Sequence, residues 1–312
     1  MRILVVGAGA VGGYFGGRLV QAGRDVTFLV LPKRAEQIQA QGLQILSPMH
    51  GDFTARPKTI TAAQIAAPYD IIFLSVKSYS LAAAIDDFAP AVGPQTVIIP
   101  VLNGMHHMDV LTQKFEHAVL GGVCFVSTEL DSQGRIVQLA DFQSLAYGEL
   151  DGKKTPRIEA VHQEFSGAGF QAAISGDILQ DMWQKWVFLA SLGAITCLLR
   201  GNIGEIVAAP GGAELCLSAL RECAAIASAS GYPMPEKFLA EKSAQLTAPG
   251  SKLASSMYRD LTNHARVEVD TILGDLVDRG RKLAVSAPIV QAAFVGLTVY
   301  QQDQARAKSA GR

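Results

Sequence analysis

Three glycines near the start of the chain, Gly7, Gly9 and Gly12, stand in the spacing G-x-G-x-x-G directly after the apolar run Ile3–Val6. Each has a separate task in holding a dinucleotide. Gly7 lets the chain turn sharply out of a strand. Gly9 lets a pyrophosphate approach the backbone where a Cβ would block it. Gly12 lets the following helix pack close to a sheet. Ala10 and Val11 then open that helix, whose first N–H groups and positive dipole end face the phosphates. The motif alone is weak, and its position between a strand and a helix is what strengthens it.

The second strand should decide which dinucleotide. A carboxylate at its C-terminal end reads a ribose 2′-hydroxyl, whereas basic residues suit a 2′-phosphate. Here the strand end reads Phe28-Leu29-Val30-Leu31-Pro32-Lys33-Arg34; Asp25 lies at the opposite end, and the next carboxylate is Glu36. Lys33 and Arg34 therefore point to NADPH/NADP+, with a solvated basic loop as the plainer reading.

Two further strand ends carry polar groups where open parallel sheets bind ligands. Lys77 in Ser75-Val76-Lys77-Ser78 is placed for a cofactor phosphate or ribose, and Asn103 in Leu102-Asn103-Gly104 for the nicotinamide ribose or a substrate oxygen. A solvated lysine and an Asn-Gly turn are the structural alternatives. His106 and His107 follow and read as solvated loop histidines.

Carbonyl reduction needs a hydride donor and a proton donor. Lys185 is set in Met182-Trp183-Gln184-Lys185-Trp186-Val187-Phe188-Leu189, among bulky apolar neighbours. Partial desolvation there would favour the neutral amine and suit it to proton transfer. The alternative is a lysine that snorkels to the surface.

The elements that must position these groups follow from the pattern of apolar runs. Ile3–Val6, Val26–Val30, Asp70–Val76, Thr96–Val101 and Ala118–Phe125 are expected as strands alternating with helices, which implies a parallel sheet covered on both faces. Ile136–Leu139 and Leu145–Tyr147 read as short additions, Pro156–Ser166 as a helix and Gln171–Ile174 as a last strand. After about Ser175 the pattern turns helical: Asp181–Leu199, Gly211–Ser230, one long helix over Ser251–Val285, and another from Pro288 to about Gln302. The expected fold is thus an N-terminal Rossmann-type α/β domain, residues 1–175, followed by an all-α domain, residues 176–312. Ala305–Arg312 reads as a frayed tail.

Composition narrows the function classes. The chain is 49% hydrophobic and 18% charged with a net charge of -1, which excludes disorder and gives no basic surface for nucleic acid or anionic membrane. No apolar run reaches the ~20 residues of a membrane span. The four cysteines form no C-x-x-C pair and read as reduced, buried thiols of a cytoplasmic protein. No metal set is evident. A small-molecule substrate is the expected partner, and the apolar helical half is compatible with a homodimer.

Taken together, GAGAVG, VKS, LNG, WQKW and SSMYRDL…VEVD resemble the ketopantoate reductase (2-dehydropantoate 2-reductase) family over essentially the whole chain. The resemblance implies reduction of a 2-oxo acid to a 2-hydroxy acid with NADPH, most simply 2-dehydropantoate to pantoate. It implies Lys185 as general acid, with Glu268 contacting the lysine or the substrate. It also implies Ser256 and Asn103 at the substrate and Lys77 at the cofactor. Thr196, on the lysine's side of the same helix, is a further substrate candidate. The sequence departs from the family pattern at Leu189 and Gly193, where asparagines are usual, and at Leu31, where an arginine is usual. The first departure favours a different or bulkier 2-oxo acid. A non-catalytic NADP(H)-binding sensor would need the glycine turn but neither Lys185 nor Glu268.

Overall fold

The computed structural model describes residues 1–309, and Ala310–Arg312 lie outside the described residues. The chain divides into two compact units: Met1–Leu102 with His107–Asp181, and Asn103–His106 with Met182–Arg312.

The first unit begins with β1 (Arg2–Val6), α1 (Ala10–Gln21), β2 (Asp25–Leu29) and α2 (Pro32–Gln41). Three short strands follow, β3 (Leu43–Leu46), β4 (Phe53–Ala55) and β5 (Lys58–Ile60). Then come β6 (Ile71–Leu74), α3 (Leu81–Phe88), β7 (Val97–Pro100) and α4 (His106–Phe115). The unit is completed by β8 (Gly121–Leu130), β9 (Ile136–Gly148), α5 (Pro156–Phe165) and β10 (Gln171–Ile174).

The main sheet has the order β5-β2-β1-β6-β7, and its strand pairs are all parallel. Its strands β1, β2, β6 and β7 are mostly buried and rich in Val, Ile, Leu and Phe, as a sheet covered on both faces requires, whereas the edge strand β5 (Lys-Thr-Ile) is buried only at Ile60. The chain first adds strands on one side of β1 and then crosses to β6 on the other. The switch point where a ligand is received therefore lies at the C-terminal ends of β1 and β6. A second sheet has the order β10-β9-β3-β4, with β8 antiparallel to β9. The two fragments read as separate short additions, Ile136–Leu139 and Leu145–Tyr147, are parts of the single strand β9, which is 13 residues long.

The helical unit contains α6 (Ile178–Leu199), whose first turn belongs to the preceding unit, and α7 (Ile203–Ala208), α8 (Gly212–Ala229) and α9 (Glu236–Leu246). These are followed by α10 (Ser256–Thr262), a π-helical turn (Asp270–Gly274), α11 (Asp275–Lys282) and α12 (Pro288–Ser309). Helix α6 is long and apolar enough to cross a membrane by length and composition, but 67% of its most apolar window is buried inside the fold. Trp183 stacks on Tyr232 at 5.3 Å and meets Trp186 at 4.8 Å, building the core around this helix.

Several expectations are corrected. The helix expected over Ser251–Val285 is broken. α10 ends at Thr262, His264 takes a left-handed φ of 55°, and helix resumes only after Glu268. Lys33 and Arg34 stand in the first turn of α2 rather than in a loop. His106 and His107 open α4, with His107 buried. The segment expected to fray from Ala305 remains helical to Ser309.

Candidate active site

The glycine turn is shaped by contacts that a side chain would destroy. Gly7 has a φ of +95°, and a Cβ there would lie 2.6 Å from the Ser75 carbonyl. A Cβ on Gly12 would lie 2.3 Å from the Gly7 carbonyl. Gly9 differs, because a Cβ there would meet nothing within 4 Å. Of the three motif glycines, Gly9 alone has open space where a Cβ would lie, the position where a pyrophosphate needs it, and these residues fit a dinucleotide. Gly9 is the N-cap of α1 and offers no side-chain oxygen, so Ala10 and Val11 begin the helix without a protein cap.

The neighbouring strand end is held against this turn. Ser75 N–H donates to the Val6 carbonyl at 3.1 Å, and Lys77 follows at the start of a short 3-10 turn with its side chain exposed. Lys77 is thereby brought to the switch point. The end of β2 carries no carboxylate: Asp25 pairs with Arg2 at the N-terminal edge of the sheet. Leu31 is 72% exposed, Lys33 is exposed and Arg34 is half-buried. The Arg34 guanidinium is largely occupied within the protein. Nε donates to the Ala8 carbonyl at 3.1 Å, and Nη1 donates to Gly134 O at 2.9 Å and Gln37 Oε1 at 2.6 Å.

In the helical unit, three sequence-distant candidates are tied to one scaffold. Lys185 is half-buried on α6, between Trp183 and Trp186. Trp186 Nε1 donates to the Ile272 carbonyl at 2.9 Å inside the π-helical turn. Glu268, 6% exposed, immediately precedes that helical stretch, and its carbonyl accepts from Ile272 N–H at 3.1 Å. The Asn103-Gly104 turn leans on the same place: a Cβ on Gly104 would sit 2.5 Å from the Thr271 carbonyl and 3.8 Å from Trp186 Nε1. Asn103 itself is half-buried. The indole of Trp186 therefore links the lysine's helix, the turn of Asn103 and the segment of Glu268. A π-turn at this point is a feature often found at functional sites.

The remaining candidates fall differently. Thr196 is fully buried, donates to the Leu192 carbonyl at 2.6 Å and shares a 2.8 Å bond with Ser255 Oγ. It braces α6 against the start of α10 and offers no surface to a small molecule. Ser255 also caps α10 by accepting from Tyr258 N–H at 3.0 Å, leaving Ser256 half-buried at the first helical position. Ser256 and Glu268 do not share a helix, although both lie in the stretch expected as one.

Sequence reasoning missed Trp186 as the organiser. Its apolar neighbours marked it as core, and nothing local announces a carbonyl 86 residues away. It also missed Met257: a Cβ on Gly193 would lie 2.2 Å from Met257 Cε, so the thioether fills the notch that this glycine leaves.

Comparison with known proteins identifies the family. The model of the ketopantoate reductase family PanE/ApbA matches residues 3–152, and that of its C-terminal domain matches residues 177–301. An uncharacterized oxidoreductase of Bacillus subtilis, YkpB, is 36% identical over 305 residues, covering 97% of this chain and 100% of the relative. A 2-dehydropantoate 2-reductase of Halobacterium salinarum is 27% identical, covering 97% and 100%. A D-mandelate dehydrogenase solved with NADH and anilino(oxo)acetate shares the fold at a TM-score of 0.87 and 21% identity, covering 97% and 99%. A Rossmann-like α/β unit followed by a helical unit, with matches along both, places the chain in the ketopantoate reductase family of oxidoreductases.

Proposed function

We propose that the protein reduces the carbonyl of a 2-oxo acid to the 2-hydroxy acid with NADPH, the first candidate reaction being 2-dehydropantoate to pantoate. The observation that carries this reading is the Trp186 scaffold, which fastens the helix of Lys185, the turn of Asn103 and the segment of Glu268 to one another. A sensor that only bound a dinucleotide would have no use for it. A reduced nicotinamide, when bound, supplies the hydride to the carbonyl carbon. Lys185 delivers the proton to the carbonyl oxygen, and Glu268 orients the ammonium and balances its charge. Asn103 and Ser256 position the substrate's polar groups, and Lys77 and Lys33 serve the cofactor. The absence of a carboxylate at the end of β2 supports NADPH over NADH.

Lys185→Ala tests the assignment. The variant should bind NADPH as the parent does and lose about two to four orders of magnitude in turnover. Near-full turnover with normal binding would remove Lys185 as the acid.

One observation favours a second reading, a different 2-oxo acid. On the lysine's face of α6 the following positions are Leu189, Gly193 filled by Met257, and Thr196 closed by Ser255. That face offers no free amide to a hydroxylated side chain, and a pocket lacking the matching donor prefers an apolar one. Assaying ketopantoate beside branched and aromatic 2-oxo acids decides between the two. We also place the protein in a reducing, cytoplasmic setting, an assignment supported by four buried free thiols.

A further inference from the structure

We propose that Arg34 and Thr128 are positioning residues of the dinucleotide turn, and that a 2′-phosphate is read by Lys33 and not by Arg34. The proposal rests on the assignment of the α/β unit as the cofactor domain.

The argument starts from the peptide plane. In a trans peptide the carbonyl of one residue and the N–H of the next point in opposite directions. Fixing the carbonyl of Ala8 therefore aims the N–H of Gly9, and fixing that of Ala10 aims the N–H of Val11. Both carbonyls are held by side chains from elsewhere in the fold. Arg34 Nε donates to Ala8 O at 3.1 Å, and Thr128 Oγ1 donates to Ala10 O at 3.1 Å. A phosphate cradle needs converging N–H groups and no carbonyl among them. These two bonds fix the carbonyls of the residues on either side of Gly9, where the open space lies.

Arg34 is itself locked in place. Its Nη1 is taken by Gly134 O and Gln37 Oε1, and Gln37 Nε2 donates to Gln133 O at 2.7 Å. The turn it grips is organised by Asp131, which accepts from the N–H groups of Gln133 and Arg135, each at 2.9 Å. The Nη2 of Arg34 has no hydrogen-bond partner among the described residues, but it is sealed from solvent. A planar guanidinium with fixed Nε and Nη1 cannot swing Nη2 outward without breaking those bonds. Burial also draws its pKa below the usual arginine value, as expected of a cation enclosed by the protein. Its positive charge acts on the pyrophosphate, which NADH and NADPH share. Lys33, exposed one residue earlier, remains to discriminate between them.

The test is direct binding of NADPH and of NADH to the intact protein, followed by nicotinamide fluorescence, for the parent and for Arg34→Gln, Thr128→Val and Lys33→Ala. Arg34→Gln and Thr128→Val should each weaken both dinucleotides by a similar factor, about 5- to 10-fold, the loss of one oriented hydrogen bond. The NADPH/NADH ratio should stay within about twofold. Arg34→Lys should recover part of the loss, since it keeps a donor and the charge but not the fork. Lys33→Ala should weaken NADPH alone by about 10-fold. The proposal is overturned if Arg34→Gln weakens NADPH selectively, or if the near-isosteric Thr128→Val leaves both affinities unchanged. Thr128→Val decides the matter should Arg34→Gln fail to fold. A parent protein that binds neither dinucleotide overturns the cofactor assignment itself, a result distinct from a changed ratio.

Discussion

Gly9 and Gly12 belong to one motif but should fail in opposite ways when given a methyl group. At Gly9 the added carbon meets no protein atom, and its φ of -80° suits alanine. Gly9→Ala should therefore fold with a melting temperature within about 2 °C of the parent, a shift worth under ~0.5 kcal/mol. The methyl would instead occupy the pyrophosphate's approach, so NADPH affinity should fall by at least ~100-fold, consistent with the close backbone contact that this glycine provides. At Gly12 the carbon would collide with the Gly7 carbonyl at 2.3 Å, so Gly12→Ala should lose stability as well, by roughly 1–3 kcal/mol for overpacking. Thermal melts beside fluorescence titration separate the two. A large loss of stability in Gly9→Ala would show that the open space is not the ligand's.

At the scale of elements, the sequence was most legible where a run of residues is buried by its own unit's sheet. The strands β1, β2, β6 and β7 could be read directly, because continuous Val/Ile/Leu/Phe runs leave no other burial pattern. The glycine turn was legible because its spacing between a strand and a helix is itself the signal, although distant residues brace it. The break between α10 and the π-turn was not. Its residues keep a helical pattern, and the break itself is held by a distant group, the Tyr300 hydroxyl, which donates to the Ala265 carbonyl at 2.9 Å. Of the candidate site, Lys185 was singled out by its apolar neighbours and Glu268 by family resemblance, whereas the bond that organises their segments is visible only in the fold. Trp186→Phe tests that bond. It keeps an aromatic ring but removes Nε1–H and part of the buried indole's volume, which should cost about 2–3 kcal/mol from the lost hydrogen bond and the cavity together. Turnover should fall at least ~10-fold with NADPH binding unchanged, since the loss concerns placement of Glu268 and not the α/β unit. Equal losses in both readouts would assign Trp186 to global stability alone.

At the scale of the whole molecule, the thiols make the fold sensitive to alkali. Burial pushes the Cys223 thiol up to about 12 and those of Cys197 and Cys216 to about 11, from an ordinary value of 9.0. A raised acid pKa means that the folded state favours the neutral thiol. This contribution is complete below the ordinary value and is lost as pH rises through the shifted ones. The urea midpoint should accordingly be flat from about pH 7 to 9 and decline above about pH 10. A thiol reagent at neutral pH should find no reactive cysteine in the native protein and all four after denaturation. Rapid modification of any one in the native state would contradict the burial.

The bond from Thr128 to Ala10 spans 118 positions, and that from Arg34 to Gly134 spans 100. The motif at the chain's beginning is thus finished by residues made much later. A growing chain that stops short of Thr128 has every glycine of the dinucleotide motif but lacks one of the braces that shape it and the turn that locks the other. Loop closure over such distances carries an entropic cost that local contacts do not. Competence to hold the cofactor is therefore acquired late in folding, and cofactor binding reports completion of the α/β unit rather than the mere presence of its signature.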